Sequence, residues 1–121
     1  MTRKEITGTR DLSFSSWIRE KLPDSSTGYM ATDVDFFLYN YKTKDIVILE
    51  VKTRKGEIKK WQRIFYKKLN EWIKKGITAD WTFHGVYLIQ FENTCFEDGK
   101  CFLNRIEITE EQLIKKLSFK K

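Results

Sequence analysis

The sequence predicts a single α/β (α+β) domain over residues 1–121, in which a central mixed sheet of about four strands is flanked by helices. The 121 residues are enough for one core but too few for a second of similar size. A hydrophobic content of 40%, with 15% aromatic residues, is typical of a packed globule rather than a disordered chain. The apolar periodicities follow the order helix, strand, strand, helix, strand, strand, helix.

The first half of the chain predicts a helix and a hairpin. Apolar side chains at spacings of three and four indicate a helix over residues 11–22 that ends before Pro23. Residues 33–41 and 45–52 are rich in Val, Ile, Phe and Tyr and predict two antiparallel strands around a polar turn. The second of these strands contains the apolar run IVILEV, which is typical of a central strand covered on both faces.

The second half predicts a long helix, two more strands and a last helix. Apolar residues recur every three or four positions over residues 56–75, with Gly76 as the expected C-cap. Two strands are expected at 82–91 and 102–108, joined through the turn EDGK. Thr109 opens a capping box that predicts a short helix over EEQLIKKL.

The net charge of +6 is concentrated in one segment. Residues 52–75 carry ten Lys and Arg side chains against two Glu, so the excess positive charge lies on and before the long helix. Such a face could neutralise nucleic-acid phosphates without reading sequence, and its alternative is a solvated helix face. The candidate nucleic-acid-binding residues are Lys55, Lys59, Lys60, Arg63 and Lys67.

The expected location of the protein and the state of its cysteines depend on whether the sequence carries an export or membrane-spanning signal. The sequence shows neither an apolar leader nor a run of roughly 18 apolar residues, so we expect a cytoplasmic protein with no membrane partner. Cys95 and Cys101 are therefore expected to be free thiols, although the hairpin predicted between them would permit a disulfide. Two Cys and one His also make a poor ligand set for zinc.

Four charged residues lie on the most apolar hairpin of the chain. Asp33 and Asp35 share one face of the first strand, and Glu50 and Lys52 share one face of the second. A four-residue loop would place Asp35 opposite Glu50 and Asp33 opposite Lys52, which would gather all four groups on one face. A three-residue loop would pair Asp35 with Val51 and require a bulge. The sequence leaves both registers open.

A divalent cation would explain why these charges gather in an apolar environment. Burying an unpaired charge costs several kcal/mol, and two adjacent carboxylates repel each other unless a cation lies between them. Carboxylate oxygens suit Mg²⁺, for which Mn²⁺ can substitute. Lys52 could then hold a phosphate or orient an attacking water. The alternative is that the charges only solvate the strand ends and form surface ion pairs.

The order of these residues resembles the PD-(D/E)XK nuclease superfamily. An aspartate, Asp35 or Asp33, is followed by Glu50-Val51-Lys52 at the end of an apolar strand and then by a helix. The resemblance implies a restriction-endonuclease-like core and Mg²⁺-dependent hydrolysis of phosphodiester bonds in DNA. It further implies that Asp35, Glu50 and the Val51 carbonyl are metal ligands and that Lys52 assists the water.

The sequence departs from the motif of that superfamily at one point, because Thr32 and Val34 stand where a Pro is expected before the aspartate. Either aspartate could therefore be the first ligand. We favour Asp35, which is nearer Glu50 in both registers.

Three further residues are candidates for supporting the site. Gln62 and Tyr66 share one helix face and are similar to the Gln-x-x-x-Tyr element of the RecB-like branch, where these side chains support the active site or substrate. Core packing of Tyr66 and solvation of Gln62 are the alternatives. Glu20, on the first helix, could supply an additional acidic residue or could simply lie on the surface.

The sequence thus predicts a small metal-dependent deoxyribonuclease. It would be structure-selective and dimeric, as small Holliday junction resolvases are, or recruited by a protein partner. Trp61, Trp72 and Trp81 could form a dimer surface, with core packing as the alternative. The other functional hypotheses are a non-catalytic nucleic-acid-binding module that retains the nuclease fold, and an interaction protein in which the acidic cluster is incidental.

Overall fold

The computed structural model describes residues 13–120, which belong to two compact units. The first unit extends to Asp33 and contains helix α1 (Ser13–Lys21), followed by a single 3-10 turn at Ser25–Thr27. The helix ends before Pro23, as predicted. Glu20 lies on α1 with an exposed side chain.

The second unit begins at Val34 and is a mixed five-stranded sheet with two helices, which confirms the α+β class. Its strands lie in the order β1-β2-β3-β4-β5, with β2 parallel to β3 and all other neighbours antiparallel. The strands are β1 (Phe36–Asn40), β2 (Asp45–Lys52), β3 (Thr82–Phe91), β4 (Cys101–Leu103) and β5 (Ile106–Glu107). The helices of this unit are α2 (Lys60–Gly76), which connects β2 to β3, and α3 (Glu110–Leu117).

The β1–β2 hairpin has the four-residue loop. Asn40 pairs with Asp45, so residues 41–44 form the turn, and the Asn40 side chain accepts hydrogen bonds from two backbone N–H groups within it. The last ladder pair toward the open end is Phe36 with Leu49. Continuing this register by one residue places Asp35 beside Glu50.

Strand β2 is buried on both faces, as the apolar run predicts. One face of the sheet packs against Leu113 of α3 and forms the main core. The other face carries Ile48 and Glu50, and Glu50 forms hydrogen bonds to α2. The buried members of the main core are Val47, Leu49, Ile89, Cys101, Leu103 and Leu113.

A bulge in β3 brings that strand close to α2. Ile46 pairs with Phe83 but Ile48 pairs with Val86, so β3 carries one extra residue at this point. Gly85 lies in the bulge with φ of +100°, a conformation that side chains rarely adopt. A Cβ added here would lie 3.8 Å from Oδ1 of Asn70 on α2.

Several sequence-based boundaries are wrong. The first strand begins at Phe36 rather than at residue 33, so Asp33 and Asp35 precede it. The single strand predicted over 102–108 is a tight hairpin, because Asn104 and Arg105 have positive φ values of 48° and 71° and reverse the chain. The second helix begins at Lys60 rather than at residue 56, and its C-cap is Ile77 rather than Gly76. Apolar periodicity continues through both regions, so it does not mark the turn or the delayed helix start.

Two smaller predictions are confirmed. Thr109 and Gln112 form the reciprocal capping box of α3. Cys95 and Cys101 are free thiols. Within residues 13–120, no helix combines the length and apolar character needed to cross a membrane.

Candidate active site

Glu50 is a buried carboxylate at the centre of the sheet. It is 3% exposed and is the single charged residue that is buried within residues 13–120. Its Oε2 accepts a hydrogen bond from the Tyr66 hydroxyl at 2.5 Å, and its Oε1 accepts one from Nε2 of Gln62 at 3.1 Å. Nζ of Lys52 lies 3.3 Å from Oε1. These donors and the opposite charge make an ionised Glu50 tolerable in this position.

Helix α2 holds Gln62 and Tyr66 against the carboxylate. The two residues are four positions apart and therefore lie on the same helix face. The side chain of Gln62 is held at both ends, because its Oε1 accepts from the backbone N–H of Lys59 at 3.1 Å while its Nε2 donates to Glu50. The helix start thus fixes the donor that orients Glu50.

Tyr66 remains protonated in this environment. Burial raises the pKa of its hydroxyl well above the ordinary value, and the hydrogen bond to Glu50 and the negative charges of Glu50 and Asp35 raise this pKa further. The hydroxyl is therefore a permanent donor at neutral pH.

Asp35 is fixed at the open end of the hairpin by a backbone contact. Its Oδ2 accepts a hydrogen bond from the backbone N–H of Val51 at 2.8 Å. This bond and the four-residue loop place the Asp35 carboxylate next to the segment that carries Glu50 and Lys52.

The structure thus brings together Asp35, Glu50 and Lys52 with the two α2 residues. Asp33 and Glu20 belong to the other compact unit, and their predicted roles remain predictions.

The two carboxylates suit a hard cation that takes few of its ligands from the protein. Residues 13–120 contain no group of three or more His, Cys, Asp or Glu side chains placed to hold a metal. Mg²⁺, however, is commonly held by one or two carboxylates, with water and substrate phosphate completing its coordination. Glu50 has about four acceptor sites, of which three face protein donors. Asp35 and Glu50 are therefore compatible with Mg²⁺, but only if water and substrate phosphate supply the remaining ligands.

A cleft of about 640 Å³ lies beside Glu50 on the α2 side of the sheet. Its walls are α2 on one side and β3 with the β4–β5 turn on the other, and Val86 and Leu88 contribute apolar lining. The polar and basic residues of its lining, apart from Glu50, Tyr66 and His84, are Arg63, Lys67, Asn70, Lys74, Asn104 and Arg105.

Only some of the predicted nucleic-acid-binding residues reach this cleft. Arg63 and Lys67 line it, whereas Lys55 lines a smaller cavity of about 330 Å³. Lys59 is the N-cap of α2, and Lys60 is an exposed residue of its first turn. Neither lysine contributes to the lining of either cavity.

Sequence reasoning missed Lys74 and Arg105. Lys74 follows Lys67 by seven residues, two helical turns, so the periodicity of α2 could have identified it. Arg105 carries no comparable signal, because it reaches the cleft only through the turn between β4 and β5.

His84 also lines the cleft, but its ring is held by other contacts. Nε2 of His84 lies 2.8 Å from Oδ1 of Asp45, and the ring stacks on Phe119. These contacts are those of a structural side chain.

No match was found in the comparisons with protein-family models, curated proteins and solved structures. The functional assignment therefore depends on the chemistry of the residues around Glu50.

This chemistry combines two carboxylates, one amine and a basic cleft. The carboxylates can hold a divalent cation, the Lys52 ammonium can stabilise negative charge, and the cleft can attract a polyanion. The three features occur within one unit of the protein.

Proposed function

We propose that the protein is a metal-dependent nuclease that hydrolyses phosphodiester bonds in DNA, with Mg²⁺ as its cofactor and Mn²⁺ as a substitute. The observation that carries the proposal is the buried Glu50 carboxylate, held by two α2 side chains and paired with Lys52 beside Asp35. The similarity to the PD-(D/E)XK superfamily agrees with this arrangement and is part of the same proposal.

The burial of Glu50 favours a function over a structural role. A buried ion pair stabilises a fold little, because desolvation of both charges offsets their attraction, and apolar residues of similar size often serve as well. Glu50 nevertheless lies on the central strand with its charge compensated by three side chains. A buried charge that adds little to stability is expected at a functional site, where the charge itself is needed.

Each residue has a distinct role in the proposal. Asp35 and Glu50 would hold the metal, with the Val51 carbonyl as a further ligand. The bound ion would lower the pKa of a water molecule and stabilise the charge that develops on the phosphate. Lys52 orients the water and adds positive charge beside the scissile phosphate. Gln62 and Tyr66 position Glu50 and have no direct part in the chemistry.

The test is metal-dependent cleavage by the wild type and by Glu50→Gln. Plasmid, linear and branched DNA are incubated with Mg²⁺, with Mn²⁺ or with EDTA. We expect cleavage only with metal, a loss of about 100-fold or more in Glu50→Gln, and nearly unchanged DNA binding. Glu71→Gln is the matched control, because Glu71 is an exposed residue of α2 and forms only a weak ion pair with Lys68.

Two results would contradict the proposal. One is wild-type protein that binds DNA but cleaves none of the three substrates with either metal. The other is Glu50→Gln protein that retains wild-type cleavage.

A non-catalytic nucleic-acid-binding module is the second candidate. It is favoured by the number of protein donors around Glu50, since three of its acceptor sites are already taken. Calorimetric titration with Mn²⁺ separates the two candidates. If the protein is a nuclease, the wild type should bind Mn²⁺ and Glu50→Gln should not. If it is a binding module, the heat of Mn²⁺ titration should be the same in both proteins.

A homodimer or a recruiting partner belongs to the same proposal. Trp61 and Trp72 are 42% and 60% exposed on α2, which leaves them accessible to another protein. Trp81 is half-buried and lies 6.5 Å from Tyr39, measured between ring centroids. Sedimentation of the wild type and of Trp61→Ala with Trp72→Ala tests the dimer.

A further inference from the structure

We infer that the cleft between α2 and the β4–β5 turn holds a single-stranded segment of the DNA substrate and leads it to Glu50. The inference rests on the proposed function, which does not specify where the substrate lies or which of its strands is held. It adds Lys74 and Arg105 to the substrate-binding residues and removes Lys60 from them.

The basic residues of the cleft occupy one flank of α2. Arg63, Lys67, Asn70 and Lys74 follow one another at intervals of four, three and four, which aligns them along the helix. From the first to the last they span about 16 Å at 1.5 Å per residue. A row of this length can contact several successive phosphates of one strand.

The opposite wall supplies a cation from a different part of the chain. Arg105 lies in the β4–β5 turn, which is anchored because Oδ1 of Asn104 accepts from the backbone N–H of Leu88 at 2.8 Å. The Arg105 guanidinium lies 2.9 Å from Glu57, and the two side chains are 54% and 60% exposed. An ion pair this exposed contributes little, so a phosphate can replace Glu57 as the partner of Arg105.

The shape of the cleft favours a single strand over a duplex. Its cations come from two separate elements, α2 and the β4–β5 turn, and line the same open cleft. Its volume of about 640 Å³ lies in the range of small-ligand pockets rather than of duplex-binding surfaces. The apolar lining from Ile58, Val86 and Leu88 can make van der Waals contacts with unpaired bases.

The position of Glu50 connects the cleft to the proposed chemistry. Glu50 is part of the lining, and Tyr66, which holds its carboxylate, is part of it as well. A strand in the cleft therefore passes directly beside the candidate metal ligand. We expect the protein to prefer substrates with a single-stranded end or flap.

Two double variants with equal loss of charge test the inference. Lys67→Ala with Lys74→Ala removes two cations from the cleft, and Lys68→Ala with Lys75→Ala removes two exposed cations of the same helix that do not line it. Binding of labelled single-stranded DNA and of a blunt duplex of equal length is measured by fluorescence anisotropy in EDTA. Melting curves check that both variants remain folded.

The expected result is a difference between the two variants. The cleft variant should bind single-stranded DNA about 10-fold or more weakly, and the salt dependence of log K should fall by about 1.4, or 0.7 for each phosphate that the protein no longer neutralises. The control variant should change affinity by less than about 3-fold, with a nearly unchanged salt dependence. The wild type should bind the single strand more tightly than the duplex.

The inference is overturned if both double variants lose affinity equally, or if the wild type prefers the blunt duplex. Binding in EDTA does not require metal chemistry, so this result is separable from the proposed function. If the wild type cleaves DNA with metal but both double variants lose the same affinity, the proposed strand path is wrong and the proposed nuclease activity stands. If binding depends on the cleft but no metal supports cleavage, the strand path stands and the nuclease proposal is wrong.

Discussion

The Tyr66 hydroxyl donates a hydrogen bond of 2.5 Å to Oε2 of Glu50 and thereby joins α2 to the central strand of the sheet. Both side chains are buried, at 5% and 3% exposure. Because the raised pKa of Tyr66 keeps its proton in place, this contact supports an ionised carboxylate where water cannot. It is at once a packing contact and the means by which the helix orients the candidate site.

Removing this hydroxyl should reduce stability and weaken the site. Tyr66→Phe leaves the ring but deletes a hydrogen bond to a charged group, so we expect a loss of about 1–3 kcal/mol in the free energy of unfolding. Urea denaturation measures this loss. Tyr87→Phe is the control, since the raised pKa of Tyr87 reflects burial alone. Equal losses in the two variants would show that the contact with Glu50 adds nothing.

The same contact predicts a loss of stability at alkaline pH. The pKa of Tyr66 is higher in the folded protein than the ordinary value of 10.0, so the folded state keeps this proton longer than the unfolded chain does. The stabilisation is therefore complete below about pH 10 and declines as the pH rises toward the folded pKa. The difference in unfolding free energy between wild type and Tyr66→Phe should shrink between about pH 10 and about pH 12. A constant difference over this range would contradict the assignment.

Two substitutions distinguish the two candidate aspartates. Asp35→Asn should reduce metal-dependent cleavage by about 100-fold or more, because it removes a charge beside Glu50. Asp33→Asn should keep activity within about 5-fold of the wild type, since the proposed metal shell contains Asp35 and not Asp33. Initial rates at saturating Mg²⁺ compare the two. A larger loss in Asp33→Asn would make Asp33 the first ligand.

Because Gly85 lies in the bulge, alanine substitutions at Gly85 and at Gly76 should change the stability very differently. Gly85→Ala forces a side chain into φ of +100° and should cost about 1–3 kcal/mol. Gly76→Ala lies in α2, where an added Cβ meets nothing within 4 Å, and should be neutral or stabilise by about 0.5–1 kcal/mol. Thermal unfolding measures both. Similar melting temperatures would mean that the bulge relaxes without strain.

The elements with strong local signals were predicted well. The central strand β2, the neighbouring β3 and the capping box at Thr109 agree with the sequence-based expectations because each depends on residues close together in the chain. The hairpin at Asn104 and Arg105 was missed, since the apolar alternation continues through a turn that depends on two positive φ angles.

The sequence by itself determined the order of the elements apart from the β4–β5 hairpin, the basic character of α2 and the residue types available to the site. Only the tertiary structure decided that Asp35 lies beside Glu50, that Tyr66 and Gln62 hold this carboxylate, and that Arg105 faces α2 across a cleft. The physical reason is the range of the interactions. Periodicity and capping act over a few residues, whereas register and helix–sheet packing bring together groups that are distant in the chain.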